Sequence, residues 1–264
     1  SYIRNDPFPE EDLFYMNELW QSWQHHSRFS GTDKERVLQA INHSRQQAHG
    51  FLQEADWLII TLGSSFSYQL AADSMPVANC HRAPAQLFHK HLLSIAEIIT
   101  ALDNCLHQLF YFNKKIKILF TISPVRHLRD GLVENNRSKA RLIEAVHHLV
   151  SKFDRLWYFP AYELVIDVLR DYRFYDIDLA HPNYQATEFV FEKFTSHYFN
   201  ADSQALMEEI RKIVTARKHK PSQPDTRAHQ AFLRAHLQKA QSLQEKYKNL
   251  DFQDEIKYFE TGKP

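Results

Sequence analysis

Apolar positions along residues 30–160 switch repeatedly between helical and strand-like spacing. Thr32-Asp33-Lys34-Glu35 sets a hydroxyl and a carboxylate three apart, the pattern that caps a helix N-terminus. Behind it Val37, Ile41, Ala48 and Leu52 recur at near-helical spacing, which predicts a helix of about 20 residues. At Asp56 the period changes. Trp57 to Leu62 is an unbroken apolar and β-branched run halted by Gly63, the pattern of a strand buried on both faces of a parallel sheet. Ser94-Ile95-Ala96-Glu97 is a second capping box, heading a helix through Leu102, Leu106 and Leu109. Lys117 to Ile122 reads as a second buried strand, ended by Ser123-Pro124. A third helix runs from Ser138 to Phe153 through Ala140, Ile143, Val146 and Leu149, and Trp157-Tyr158-Phe159 is a third strand stopped by Pro160. Helices alternating with strands predict the α/β class with a mostly parallel sheet, right-handed crossovers and ligands at the carboxyl ends of the strands.

Two segments stand outside this alternation. Residues 1–30 are aromatic-rich and irregular. Beyond residue 200, Ala201 to Lys220 and Thr226 to Leu250 read as two helices parted by Pro221-Ser222-Gln223-Pro224. The second carries an amphipathic stripe of Phe232, Leu233, Leu237, Ala240 and Leu243. The chain therefore divides into an α/β domain over 1–200 and a helical extension over 201–264. That extension either packs on the main domain or serves self-association.

Composition narrows the function classes. The 264 residues make one large domain, or a medium domain with an appendage. Thirty-two basic against 32 acidic residues argue against a nucleic-acid binder held by bulk charge. No apolar run approaches the roughly 18–20 residues of a membrane span. Cys80 and Cys105 supply neither a disulfide framework nor a zinc site, and lean toward a reducing, cytoplasmic compartment. With five glycines and no Gly-rich phosphate loop, no nucleotide cofactor is expected. The chain begins Ser1-Tyr2-Ile3-Arg4, with neither a Met nor a signal-peptide pattern.

Candidate chemistry stands just past the strands. Asp178 and His181 form a D-x-x-H pair that can set a carboxylate against imidazole Nδ1 and leave Nε2 free as a general base; the alternative is an ordinary surface loop. Ser64 and Ser65, after Gly63, are nucleophile candidates or turn formers. Asn79 is an oxyanion donor or a turn residue. Arg126 clamps an anionic substrate or pairs with Asp130 or Glu163. His25, His26, His81, His127 and His181 lack the H-x-x-x-H spacing of a helical metal site, so no metal is expected.

A family pattern joins these pieces. Trp23-Gln-His-His-Ser-Arg-Phe-Ser30, Asp56 to Gly63, and Val77-Ala-Asn-Cys-His81 with Pro84-Ala85 come first. Thr121 to Gly131, Ser138-Lys139-Ala140, Tyr158 to Glu163, Leu169 to Tyr175 and Asp178 to Pro182 follow. Together, across Trp20 to Phe194, they resemble the GSCFA family, a branch of the SGNH (GDSL-like) hydrolase superfamily. The resemblance implies a three-layer α/β/α fold and cleavage of acyl or acetyl esters, with a small-molecule or carbohydrate ester as partner. It makes Asp178 the orienting acid and His181 the general base. Gly63 falls at the superfamily's G-x-N block, where Ser65 stands in place of the Asn; Asn79 is the substitute donor by proximity. The family's naming motif and first strand should precede the Trp23 segment, and nothing in residues 1–22 matches them. The expectation is a chain lacking its first strands and nucleophile block, inactive as it stands, unless Ser64 or Ser65 serves. A non-catalytic binding or assembly module on the same scaffold is the second reading.

Overall fold

The structure is a computed structural model and describes residues 2–262. It divides into two units between Val190 and Phe191. The first unit opens with a hairpin, β1 (Phe14–Met16) against β2 (Leu19–Gln21). Asn17 and Glu18 turn it with positive φ at both places, matching the twist of a two-residue hairpin loop. Helix α1 (Lys34–Glu54) follows, capped by Asp33 rather than Thr32: the Arg36 N–H donates to Asp33 Oδ1 at 3.0 Å. Val37 and Ile41 of α1 pack on Phe8 and Leu13.

Strands β3 (Trp57–Leu62), β7 (Lys117–Ile122) and β8 (Leu156–Phe159) form a parallel sheet in the order β3-β7-β8, with Trp57 opposite Lys117 and Leu62 opposite Ile122. Between β3 and β7 lie three strands that the periodicity did not reveal: β4 (Phe66–Leu70), β5 (Pro76–Val77) and β6 (Phe88–Leu92), an antiparallel sheet ordered β5-β4-β6. These are short, and β6 carries His89, Lys90 and His91, so no clean alternation marks them. Helix α2 (Ile95–Phe112) starts on the predicted capping box: the Glu97 N–H donates to Ser94 Oγ at 3.2 Å and the Ser94 N–H to Glu97 Oε2 at 2.7 Å. Helix α3 (Leu132–Lys152) begins six residues ahead of the expected Ser138.

Leu106 and Leu109 of α2, Ile118 and Phe120 of β7, and Val146 and Leu149 of α3 make the main core. Strand β7 is buried on both faces from Ile118 to Ile122, as expected for a central parallel strand. Strand β3 departs from that expectation. Its exposure alternates, Leu58, Ile60 and Leu62 turning inward while Trp57 and Ile59 stay 43% and 54% exposed. One face of the strand is thus left uncovered, and β3 also stands at the sheet edge, with no strand beyond it among the described residues.

After β8 the chain forms a short helix, α4 (Ala161–Glu163), which runs on as a π-helical stretch over Leu164–Leu169 and stops at Arg170, whose φ is +46°. Helix α5 (Tyr184–Tyr198) spans the division between the units. In the second unit α6 (Ala201–Lys218), α7 (Arg227–Lys246) and α8 (Gln253–Thr261) bury Ile213, Ala216, Leu233, Ala240, Phe252 and Phe259 together. The amphipathic stripe of α7 is thus covered by helices of its own unit. Among the described residues no helix is long and apolar enough to cross a membrane.

One side chain ties three elements of the first unit together. Asn113, 4% exposed, caps the end of α2 and donates from Nδ2 to Leu52 O and Ala55 O, the carbonyls that end α1. Its Oδ1 accepts from the N–H groups of Lys115 and Ile116 ahead of β7. Replacing it strands buried polar groups on both sides. We expect Asn113→Ala to lower the unfolding free energy by roughly 2–4 kcal/mol in urea denaturation; a loss below about 0.5 kcal/mol would show that these bonds are readily replaced by water.

Candidate active site

The carboxyl ends of β3 and β7 open into loops, and a single buried side chain spans them. Lys139, in the second turn of α3, is 1% exposed. Its Nζ donates to Gly63 O and to Ser123 O, each at 2.6 Å. Burial pulls its pKa down to about 8. His127 Nε2 lies 3.2 Å from the same Gly63 carbonyl, so that nitrogen carries the proton. Gly63 serves through this carbonyl; a Cβ there would meet His127 Nε2 at 3.7 Å, an ordinary contact.

The two serines after Gly63 are tied down by Ser138, the residue before Lys139. The Ser65 N–H donates to Ser138 Oγ at 2.8 Å, and Ser65 Oγ lies 3.1 Å from both Ser138 O and Ser138 Oγ. Ser65 is 1% exposed. Ser64 Oγ sits 3.3 Å from Ser138 Oγ and accepts from the Phe66 N–H at 3.0 Å. Both hydroxyls are therefore engaged in shaping the turn out of β3.

Asp178 and His181 come together within one tight turn. His181 Nδ1 is 2.5 Å from Asp178 Oδ2, while Asp178 Oδ1 accepts from the N–H groups of Ala180 and His181 at 2.9 and 3.0 Å. These two backbone donors, His181's first, then the imidazole, hold the carboxyl down to about 2. The ring is thereby fixed with Nδ1 toward the carboxylate. Nε2 has no hydrogen-bond partner among the described residues, and the His181 side chain is 59% exposed. The turn closes through the Asp176 N–H on His181 O at 2.8 Å, with Leu179 in the left-handed region at φ +54°. Asn183, which sequence reasoning passed over, braces its base: Nδ2 donates to Arg173 O at 2.7 Å and Oδ1 accepts from the Ala186 N–H at the start of α5.

Arg126 acts on this turn rather than on a carboxylate. Its N–H donates to Ala180 O and its guanidinium to Leu179 O, both at 3.1 Å, and it lies over the Tyr175 ring at 4.3 Å. The two acids named for it are engaged elsewhere, Asp130 with Lys90 and Glu163 with the Tyr158 hydroxyl. Adjacent residues of the loop after β7 thus hold both strand-end features, His127 the Gly63 carbonyl and Arg126 the Asp178–His181 turn. Asn79 stands apart from them. Its Oδ1 accepts from the His81 N–H at 3.0 Å, and it lines a cavity with Gln21, His25 and His81. Among the described residues no group of three His, Cys, Asp or Glu could hold a metal ion.

Ser138 and Lys139, with Asn135, carry a signal that could have been read. They occupy the same helical stripe as Leu142, Val146 and Leu149, so polar residues at apolar positions mark a buried polar network.

The family model described as GSCFA family matches residues 1–194, and that described as GSCFA domain protein, C-terminal domain, matches residues 210–262. The second match takes in helices that the Trp20–Phe194 resemblance left out. No curated protein and no solved structure matches the chain.

Lys139 also sets a pH dependence. Its native pKa lies below the 10.5 of an unperturbed lysine, so between about pH 8 and 10.5 the unfolded chain binds the extra proton and stability rises with pH. The difference in unfolding free energy between wild type and Lys139→Met should therefore grow in favour of wild type across that range. A difference independent of pH would place the ammonium in an aqueous setting.

Proposed function

The chain belongs to the GSCFA family, and from that premise we propose that it is an ester hydrolase of the SGNH type, cleaving an acyl or acetyl ester of a small molecule or carbohydrate. One observation carries the reading: the Asp178 carboxylate grips Nδ1 of His181 and leaves Nε2 open and without a partner among the described residues. That is the arrangement a general base requires.

In this mechanism His181 Nε2 takes the proton of a serine hydroxyl as its oxygen attacks the ester carbonyl carbon. It returns the proton to the departing alcohol, leaving an acyl-serine. A water molecule, deprotonated by the same nitrogen, then attacks the acyl carbon, and the proton passes on to the serine oxygen as the acid leaves. Asp178 stays ionised throughout, since its carboxyl titrates near 2. It fixes the ring and stabilises the imidazolium as it forms. Arg126 keeps the turn in place through Leu179 O and Ala180 O. Ser64 and Ser65 have their hydroxyls engaged with Ser138 and Phe66. We therefore assign the nucleophile to another serine, in the block that the family resemblance puts ahead of the Trp23 segment.

In the natural protein, His181→Ala should lower kcat/KM for 4-nitrophenyl acetate by at least ~10³-fold. Asp178→Asn retains an acceptor for the two backbone N–H groups yet loses the charge facing Nδ1, and should cost ~10²–10⁴-fold. Unchanged turnover in His181→Ala, with the variant folded, rejects the reading.

A further inference from the structure

His181 ends a tight loop that also presents large apolar side chains to solvent. Tyr172, Ile177, Leu179 and Tyr184 are all exposed, Ile177 completely so. Ile177 and Leu179 flank Asp178 in the chain. Their loop is closed at its base by the Asp176 N–H on His181 O and the Leu179 N–H on Asp176 O. Tyr172 joins them through Arg126, whose guanidinium lies 5.4 Å from the Tyr172 ring and donates to Leu179 O. Tyr184 opens α5, three residues past His181.

Single exposed apolar residues are ordinary on a protein surface, whereas a cluster of them marks something that binds. Three observations say what binds here. The polar groups beside the loop are largely committed: Arg126, Asp178 and Asn183 bond the loop's own backbone, and Arg173 pairs with Asp171. A ligand held mainly through hydroxyl groups finds few partners among them. Leu179 sits in the left-handed region at φ +54°, a conformation that Gly or Asn takes at lower cost. The loop thus bears strain at a position that carries an apolar side chain. Finally, His181 Nε2 stands open in the midst of these residues. A protein segment lying permanently over them would also close the base, whereas a cover that comes and goes with each turnover would not.

We propose that these side chains seat the apolar chain of the substrate, so that the ester cleaved carries a fatty acyl group rather than the acetyl group of a sugar. The assignment rests on the hydrolase reading and narrows it. With the ester carbonyl brought to His181 Nε2, the acyl chain lies across Ile177 and Leu179. Tyr172 and Tyr184 flank it, each offering an apolar ring while its hydroxyl stays in water. Covering these residues removes apolar area from water on both partners, and that area is the source of the preference. Because the seat is an open rim, it reads the presence of an apolar chain more than its exact length.

The test compares kcat/KM of the natural protein for 4-nitrophenyl acetate and 4-nitrophenyl octanoate, below the concentration at which the octanoate aggregates. An open rim covers only part of the longer chain, so we expect octanoate to be preferred at least ~30-fold. That preference should fall at least ~5-fold in Ile177→Ser and in Leu179→Asn. Leu179→Asn relieves the backbone, so its thermal midpoint should not drop, which separates loss of the seat from loss of structure. Equal turnover of the two esters, or a preference for acetate, overturns the proposal and leaves the hydrolase reading standing. An octanoate preference that survives both substitutions also overturns it. If neither ester is turned over, the hydrolase reading fails and binding alone decides the seat. The probes are then 2-decanone and N-acetylglucosamine, titrated against the ¹³C-methyl signals of Ile177, which are assigned by their loss in Ile177→Ser. A saturable shift with the ketone and none with the sugar supports the seat; no shift with the ketone rejects it.

Discussion

At the carboxyl ends of β3 and β7 the ladder runs out, and Gly63 O and Ser123 O turn inward with no strand to meet them. The Lys139 ammonium donates to both. Much of the site's geometry follows from that contact. Because Lys139 sits on α3, the helix is pinned to the strand ends, and its neighbour Ser138 is brought against Ser64 and Ser65. The turn out of β3 is therefore shaped by a helix some 70 residues further along the chain. A cation so completely buried is tolerable only because two carbonyl dipoles face it at 2.6 Å, and its lowered pKa records what desolvation still costs.

The Asp178–His181 turn is built on a different principle. It is exposed, and its order comes from local hydrogen bonds rather than from packing. One carboxylate takes two backbone donors on one oxygen and the imidazole on the other. Arg126 and Asn183 fasten the turn to the loop after β7 and to the head of α5. A rigid, solvent-facing imidazole with one nitrogen occupied and the other free suits proton transfer better than structural support. That contrast underlies the hydrolase proposal.

Long periodic elements were legible in the sequence. The bounds of β3 and β7 and the capping box of α2 are as the residue pattern gives them, because burial and capping act on neighbouring residues. The D-x-x-H pair was legible for the same reason, since its hydrogen bonds span three residues. What escaped depends on distant partners. Strands β4 to β6 gain their pairing from one another across loops, and their short mixed sequences show no period of two. That β3 is buried on one face only depends on what packs against the sheet, which its own residues do not reveal. Arg126 was read as a clamp for an anionic substrate or as a partner for Asp130 or Glu163, and those acids lie with Lys90 and Tyr158. Lys139 was noted only as part of a family pattern, although its position on the apolar stripe of α3 already set it apart.

The central claim is that His181 drives acyl transfer to a serine. Its most direct test is to mix the natural protein with 4-nitrophenyl acetate, quench within the first turnover, and map the mass of every peptide. The account predicts one acetyl group on one serine other than Ser64 and Ser65, and its disappearance in His181→Ala. Ester turnover with no acylated serine, or an adduct that forms equally fast without His181, would contradict it.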